Sequence, residues 1–320
     1  MGISIVKFQR LDSEAQWGVA SGQTISPIMQ SFASHREVMA VYFADSQQLK
    51  TDSATLEMSD VKLLSPVSDD VQIFCQGLNY ASHKEEGGLT GEKGQNLIFS
   101  KPASTICGPN DDIVRPNGCE LLDYEVELAL ILKQDLPANT RVDKTNLLNY
   151  VGGLTLTNDV SARDFMFGAP MMQWFKGKGQ RTFCPTGPIL YLLDAADLEL
   201  LSNLQLTLSV NGEIKQDATT DQMIFKPEET LTELASFADI KTGDMLLTGT
   251  PGGVTLNANF KVGLAILLNF TKDDKRRQKL VKTQKSVRYL EPGDQLTLSL
   301  KSRDGSLDLG KQINGVRDAA

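Results

Sequence analysis

Short segments in which apolar and polar residues alternate dominate the chain from about residue 70 onward. A period of two is typical of β-strands, and turn-forming pairs such as Asn211–Gly212, Gly243–Asp244 and Asp304–Gly305 separate several of the segments. Helical patterns are fewer, and the clearest begins at Pro227 with PEETLTELASFADI. The pattern predicts a strand-rich α+β domain and argues against regular βαβ winding. The predicted strands include VQIFCQGLNY, NLIFSKP, YVGGLTLTND, LQLTLSVNGE, DMLLTGTP, VGLAILLNF and QLTLSLKS.

The first 68 residues have a different organisation. ISIVKFQR and the WGVA–TISPI region have the pattern of short strands, and SHREVMAVYFADSQQLK has that of an amphipathic helix. A polar stretch, SATLEMSDVKLLSPVSDD, then leads into the strand that opens at about residue 70. We therefore predict a small N-terminal α+β domain at 1–68 and a larger domain at 69–320.

Composition narrows the class of protein. A hydrophobic content of 41% and a charged content of 22% are those of a globular protein, and no apolar run is long enough to span a bilayer. The N-terminal stretch lacks a signal-peptide pattern, and the four cysteines are scattered without a CxxC pair, so we expect reduced thiols in a cytoplasmic protein. A net charge of −8 argues against nucleic acid as a partner. With two histidines in the chain, a three-histidine zinc site is excluded.

One segment is basic although the chain as a whole is acidic. TKDDKRRQKLVKTQKSVR, at 271–288, carries eight basic and two acidic residues. Such a run is typical of a solvated loop or helix face, and it lacks the interleaved aromatic residues on which bases stack. We interpret it as a surface insertion, with contact to an anionic ligand or to another subunit as the alternative.

The run LLDYEVELAL, at 121–130, places two glutamates close together on a predicted strand. Glu125 and Glu127 are two residues apart on a predicted strand, so their side chains point to the same face. The face continues through Ala129 and Ile131, which indicates that part of it is covered. Like charges in a covered place repel, and they call for a compensating cation. Two interpretations stay open at this point: a solvated polar strand face and a metal site.

Other polar residues follow strand-like runs. Asp159 comes directly after YVGGLTLTN, where it could serve a functional site or cap a helix. Lys178 lies in QWFKGKGQ, and a lysine directed into a carboxylate-lined pocket would stabilise a developing oxyanion. His83 precedes Glu86 by three residues, so on one helical turn the carboxylate could orient the imidazole. The ordinary interpretations are a solvated surface lysine for Lys178 and a surface helix pair for His83 and Glu86.

Taken together, seven segments resemble the fumarylacetoacetate hydrolase family, in particular its bacterial acylpyruvate-hydrolase-like and isomerase-like members. The match covers roughly residues 70 to 255, and DLGKQIN near residue 310 resembles the family's closing strand. The resemblance implies the mixed β-sheet roll or sandwich of the family's C-terminal domain and a homodimer. The segments, in chain order, are GLNYASHKEE, FSKPASTICGP, LDYEVELALIL, GGLTLTNDVSARD, QWFKGKGQRTFCPTGP, VNGEIKQDATTDQMIF and GDMLLTGTPGGV.

The resemblance also implies a metal site. The family's E-x-E ligands fall on Glu125 and Glu127, and its third acidic ligand falls on Asp159. This assignment explains the paired glutamates, because a divalent cation would hold them together. Three carboxylate ligands suit Mg²⁺ or Mn²⁺, which are hard cations that prefer oxygen.

The remaining positions carried over from the family concern catalysis and substrate. The active-site lysine falls on Lys178, the lid histidine and glutamate fall on His83 and Glu86, and the substrate-contacting threonine falls on Thr250. Arg163, in the A-R-D motif, is expected to pair with a substrate carboxylate. These positions imply a hydrolase that cleaves the C–C bond of a 2,4-diketo acid through a metal-stabilised enolate, with water activated by His83 and Glu86.

Two departures from the family pattern affect the substrate more than the metal. Met166 stands where the family often has glutamine, and KGQR replaces the more usual serine-phenylalanine-aspartate run after the lysine. Decarboxylation of an oxaloacetate-like acid and isomerisation of an unsaturated hydroxy-diacid are therefore alternatives on the same scaffold. A binding protein without catalytic activity is the alternative from another class, because a fold does not fix a function.

Overall fold

The computed structural model describes residues 2–86, 93–169, 171–256 and 273–320 of the protein. Within these ranges the fold is the strand-rich α+β architecture that the sequence predicted, with strands gathered into large mixed sheets. The strand predicted over VGLAILLNF, at 262–270, lies outside the described residues, as does the start of the basic segment at 271–272. Across the described ranges, no helix has the length and apolar character needed to cross a membrane.

The N-terminal part forms the strands and the helix that its pattern predicted. The strands are β1 (Ile3–Gln9), β2 (Ala15–Ser21), β3 (Thr24–Pro27), β4 (Leu56–Glu57) and β5 (Lys62–Leu64), and the helix is α1 (His35–Ala44).

The remaining strands follow in chain order. They are β6 (Ile73–Gly77), β7 (Leu97–Lys101), β8 (Ile106–Cys107), β9 (Ile113–Arg115), β10 (Leu122–Asp123), β11 (Val126–Leu132), β12 (Val151–Asn158), β13 (Ser161–Ala162), β14 (Cys184–Leu192), β15 (Leu204–Val210), β16 (Glu213–Thr219), β17 (Met245–Leu247), β18 (Gln295–Ser302) and β19 (Asp308–Asp318).

The helices of the larger part are mostly short. The α-helices are α2 (Ala81–Glu86), α3 (Leu147–Tyr150), α4 (Arg163–Phe167), α5 (Trp174–Lys178), α6 (Pro227–Leu234) and α7 (Asp273–Thr283). Single 3₁₀ segments lie at Ser46–Gln48, Met58–Asp60, Ala103–Thr105, Ala195–Ser202 and Thr220–Gln222.

One large sheet runs through both parts of the chain. Among the described residues its strand order is β4-β3-β2-β1-β14-β12-β11-β17-β6-β7, with β5 paired to β1 and β8 paired to β14. The N-terminal strands join it where β1 pairs antiparallel with β14, from Ile3 opposite Leu192 to Ile5 opposite Leu190. A second sheet has the order β16-β15-β18-β19-β9, and β10 pairs with β13 in a small third one.

The strand that carries the glutamates is buried on both faces. Leu128 and Leu130 belong to one apolar core, while Ala129 and Ile131 belong to another on the opposite side of the sheet. The interpretation as a solvated strand face is therefore wrong. The predicted strand is also interrupted, because Glu125 lies between β10, which pairs with β13, and β11, which pairs with β12 and β17.

Helix α1 is fixed to the larger part through a buried histidine. The Nε2 atom of His35 lies 3.0 Å from the carbonyl oxygen of Gly243, and the backbone N–H of Ser68 donates to its Nδ1 atom at 3.1 Å. Next to it, the Nε atom of Arg36 donates to the carbonyl of Thr242 at 2.6 Å. These contacts attach α1 to the turn before β17, and that strand leads directly to Thr250.

Candidate functional site

Three buried carboxylates meet where β11 and β12 run side by side. Glu127 lies in β11, Glu125 directly precedes it, and Asp159 directly follows β12. The backbone N–H of Asp159 donates to the carbonyl of Glu125 at 2.8 Å, which brings the two chain segments together. One ligand atom from each of the three side chains lies within 4.8 Å of the others. Asp159 therefore belongs to this cluster and does not cap a helix.

Glu127 is the carboxylate of the cluster whose charge is least compensated. Its Oε2 atom accepts the N–H of Gly249 at 2.7 Å, while its Oε1 atom is buried without a hydrogen-bond partner among the described residues. Burial, reinforced by the charges of Asp159 and Glu125, raises the pKa of Glu127 well above its usual range. An orphaned buried carboxylate oxygen beside two further carboxylates fits a divalent cation, so the cluster could hold one through Glu125, Glu127 and Asp159.

Two buried lysines form ion pairs with carboxylates of the cluster. Lys178, at the end of α5, donates to Glu125 Oε2 at 2.9 Å and also to Asp159 Oδ2. Lys101, at the end of β7, donates to Asp159 Oδ1 at 2.5 Å. Burial would lower the pKa of Lys178, but Asp159 and Glu125 outweigh it and raise that pKa, so this lysine stays charged. It can therefore stabilise negative charge, but it is a poor proton acceptor.

Arg163 is bound to protein carboxylates. At the first residue of α4, its Nε atom donates to Asp123 Oδ2 at 2.9 Å, and its Nη2 atom lies 2.6 Å from Glu125 Oε1. Burial raises the pKa of Glu125, but Lys178 and Arg163 outweigh it, and the net effect lowers that pKa. Arg163 thus holds Glu125 in its ionised form, while its predicted contact with a substrate carboxylate stays a prediction.

Asp123 ties the arginine to the loop after β17. Its Oδ1 atom accepts the N–H of Thr255 at 2.9 Å, and its Oδ2 atom accepts the N–H of Leu256 at 3.1 Å as well as the bond from Arg163. On the same loop, Thr250 donates its hydroxyl to the carbonyl of Val126 at 3.0 Å. The loop is therefore positioned against the glutamate strand by these hydrogen bonds.

The predicted histidine and glutamate lie on one turn of helix α2. The Nδ1 atom of His83 is 3.7 Å from Glu86 Oε2, which is longer than a hydrogen bond, and it has no hydrogen-bond partner among the described residues. Glu86 accepts the N–H of Gly253 at 2.8 Å. The structure brings the pair together, with the carboxylate held mainly by the glycine.

A cavity of about 380 Å³ joins these groups. This volume lies in the range of roughly 300–1,000 Å³ found for small-molecule sites. Glu127 and Asp159 do not line the cavity and are fully buried. Six of the eight residues proposed from the sequence line it, namely His83, Glu86, Glu125, Arg163, Lys178 and Thr250.

Two residues of the site were missed in the sequence. Lys101 ends an apolar strand, and Asp123 stands two residues before Glu125 in the same alternating run, so position alone gave a weak signal for each. A lysine at a strand end is usually solvated, and only the folded chain shows that this one reaches Asp159. Met166, noted as a departure, is buried and lines the cavity.

The described part of the basic segment forms helix α7, with one face packed against the protein. Arg277 donates to Asp164 Oδ2 from its Nη2 atom at 2.7 Å, and Leu280 is buried with Leu121 and Tyr289. The described part of the segment is thus a surface helix with one packed face, and its interpretation as an insertion stays a prediction. Arg277 packs there because Asp164 on α4 is buried and takes it as a cation.

Comparison with known proteins identifies the family. Residues 72–317 match the model of the fumarylacetoacetate (FAA) hydrolase C-terminal domain. The chain is 41% identical over 207 residues to the Bos taurus mitochondrial oxaloacetate tautomerase FAHD2A, and 39% identical over 200 residues to the Homo sapiens protein of that name. These matches cover 64% and 62% of each chain, so the chain spans less than two thirds of the length of these curated relatives.

Solved structures agree with this result over the whole chain. A probable 2-hydroxyhepta-2,4-diene-1,7-dioate isomerase from Mycobacterium abscessus is 28% identical with a TM-score of 0.72, and 100% of both chains is covered. A fumarylacetoacetate hydrolase from Exiguobacterium antarcticum is 27% identical with a TM-score of 0.74, covering 99% of this chain and 100% of that one. The chain belongs to the fumarylacetoacetate hydrolase family.

Proposed function

We propose that this member of the fumarylacetoacetate hydrolase family catalyses the metal-dependent keto–enol tautomerisation of 2-keto acids that carry a substituent on the third carbon, a class that includes oxaloacetate. The observation that carries the proposal is the buried Glu125–Glu127–Asp159 cluster with its orphaned Glu127 oxygen. Similarity to relatives named oxaloacetate tautomerase supports the choice of reaction.

Glu125, Glu127 and Asp159 would hold a divalent cation, with Mg²⁺ or Mn²⁺ as the candidates. When bound, such a cation polarises the carboxylate and keto oxygens of a 2-keto acid. Lys101, Arg163 and Lys178 pair with Asp159 and Glu125. Glu127 has no ion pair among the described residues, so its carboxyl group is available to bind the cation.

Lys178 stabilises the negative charge that develops on the keto oxygen as a proton leaves the neighbouring carbon. It is suited to this role because it is buried, charged and held by two carboxylates of the cluster. Arg163 and Lys101 contribute by fixing Glu125 and Asp159, so that the carboxylates do not move during the reaction.

His83 moves the proton between the carbon and water. It lines the cavity, 13% of its side chain is exposed, and its Nδ1 atom makes no hydrogen bond within the described part of the chain. Glu86, 3.7 Å away, stabilises the imidazolium that forms when the proton is accepted.

Hydrolysis of a 2,4-diketo acid is the second candidate, and the same His83–Glu86 pair favours it. A histidine that accepts a proton from carbon can accept one from water, which would then attack the distal carbonyl of an acylpyruvate. Release of acetate and pyruvate in equal amounts from acetylpyruvate would identify this reaction.

The test is the decay of the ultraviolet absorbance of enol-oxaloacetate. The purified protein is assayed with Mg²⁺ and again with excess chelator. Accelerated decay that the chelator abolishes, without release of pyruvate, supports the tautomerase. Decay at the uncatalysed rate under both conditions contradicts it, and pyruvate release would point to decarboxylation.

The predictions about the surroundings of the protein are part of the same proposal. We propose a homodimer in the cytoplasm, with a small-molecule keto acid as the ligand and with neither nucleic acid nor a membrane as partner. The division into domains 1–68 and 69–320 also stays a prediction, supported by the family match that begins at residue 72.

A further inference from the structure

The cavity has two ends of different chemistry. Three of its charged lining residues, Glu125, Arg163 and Lys178, lie at the inner end beside the buried carboxylates, while Glu86 lies on α2 with His83. Much of the rest of the described lining is apolar or aromatic. The apolar side chains are Leu78, Leu97, Phe99, Met166, Phe167, Met172, Trp174 and Leu256.

The aromatic surface begins directly beside the charged end. The Nζ atom of Lys178 lies 5.1 Å from the centroid of the Phe99 ring. The Phe99 ring is in turn 5.0 Å from the Trp174 ring, with 36° between the ring planes. A ligand whose polar end reaches Lys178 would therefore place its next atoms against these two rings.

A glycine keeps the ring surfaces accessible. Gly77 lines the cavity, and a Cβ atom there would lie 3.7 Å from Trp174 Cη2 and 3.8 Å from Phe99 Cε1. Any larger side chain would occupy the space beside both rings. Met172, which is 61% exposed, carries the apolar surface outward to the rim of the cavity.

The outer end offers little to a second carboxylate. Among the described lining residues, Arg163 and Lys178 are the arginine and lysine side chains, and both are bound to Glu125. The Nδ1 atom of His83 lies 3.7 Å from Glu86, whose carboxylate would repel a second carboxylate there. A buried carboxylate without a partner is costly, whereas an aromatic ring gains from the same surroundings.

We propose that Phe99 and Trp174 form a subsite for an apolar, ring-sized group on the third carbon of the substrate. The favoured substrates are then 2-keto acids of the arylpyruvate type. This inference rests on the proposed function, because it requires the keto-acid end to be bound at the carboxylate cluster.

The test compares two substrates that differ in one group. Phenylpyruvate carries a phenyl ring where oxaloacetate carries a carboxylate, and both undergo keto–enol exchange. The kcat/KM for enolisation is measured with Mg²⁺ for the wild type, Trp174→Ala and Trp174→Phe. Phe175→Ala is the matched control, because Phe175 is the next residue of α5, is 66% exposed and does not line the cavity.

The wild type should favour phenylpyruvate. Trp174→Ala should lower kcat/KM for phenylpyruvate about tenfold, the equivalent of one lost aromatic contact, and should change that for oxaloacetate less than about twofold. Trp174→Phe should restore most of the loss, and Phe175→Ala should change neither substrate. A wild type that favours oxaloacetate, or an equal loss for both substrates, overturns the subsite.

Calorimetric binding of phenylpyruvate in the presence of Mg²⁺ separates this inference from the proposed function. If neither acid is enolised, the proposed function fails. Phenylpyruvate binding that weakens in Trp174→Ala but not in Phe175→Ala then still supports the subsite. Absence of binding, or equal binding by all variants, overturns it.

Discussion

His35 should make the stability of the protein depend on pH in a range where few other groups titrate. Burial lowers the pKa of His35 from 6.5 to about 4, more than the bond to Gly243 raises it. Arg36 and Lys7 lower this pKa further, and Asp70 opposes them. Because Nδ1 accepts the N–H of Ser68, the proton lies on Nε2, and protonating Nδ1 would break that bond.

The sign and size of the effect follow from these values. A histidine that is neutral in the folded state contributes its full stability above pH 6.5, the pKa in the unfolded chain, and loses it as pH falls towards 4. At about 1.4 kcal/mol per pKa unit, the wild type should lose roughly 2 kcal/mol between pH 7.5 and pH 5 through this residue alone.

The assay is urea unfolding of the wild type and of His35→Gln at a series of pH values. Glutamine can donate to the carbonyl of Gly243, and the difference between the two proteins removes the contribution of all groups that they share. The wild type should lose about 2 kcal/mol relative to His35→Gln on going from pH 7.5 to pH 5. Parallel stability curves would refute the assignment of a buried, neutral His35.

Two further substitutions test the supports of the site. Lys101→Met should lower the free energy of unfolding by about 3 kcal/mol, because it leaves Asp159 buried with one cation fewer. Lys241→Met is the control, because it removes an exposed ion pair and should change the free energy of unfolding little. Equal losses of stability in urea unfolding would contradict this. Gly177→Ala should lower both the free energy of unfolding and the rate of enolisation. A Cβ atom there would lie 2.6 Å from Met166 Cβ, and relief of this clash would displace the adjacent Lys178. Unchanged stability and turnover would show that α4 and α5 accommodate the methyl group without moving Lys178.

The fold class was predictable because alternation in the sequence reports directly on burial. The run from Leu122 to Leu130 predicted a strand, and the apolar residues on both of its faces indicated that it was covered. The break at Glu125 was not predictable, since it depends on which partner strands lie on either side. Pairing of β10 with β13 is set by the tertiary fold.

The site was predictable only in part. Acidic residues at a strand and at a strand end are visible in one sequence, and family resemblance grouped Glu125, Glu127 and Asp159. The supporting residues were not visible, because Lys101 reaches Asp159 across 58 residues of chain. The packing of α7 likewise depends on Asp164, whose burial the sequence does not reveal.

If the buried Glu125–Glu127–Asp159 cluster holds a divalent cation, calorimetric titration of Mn²⁺ will distinguish the wild type from Glu127→Gln. Glutamine keeps an acceptor for the N–H of Gly249 while removing the charge, so the fold should be retained. The wild type should bind Mn²⁺ and Glu127→Gln should not. Equal binding by both proteins would show that the cluster does not hold the cation.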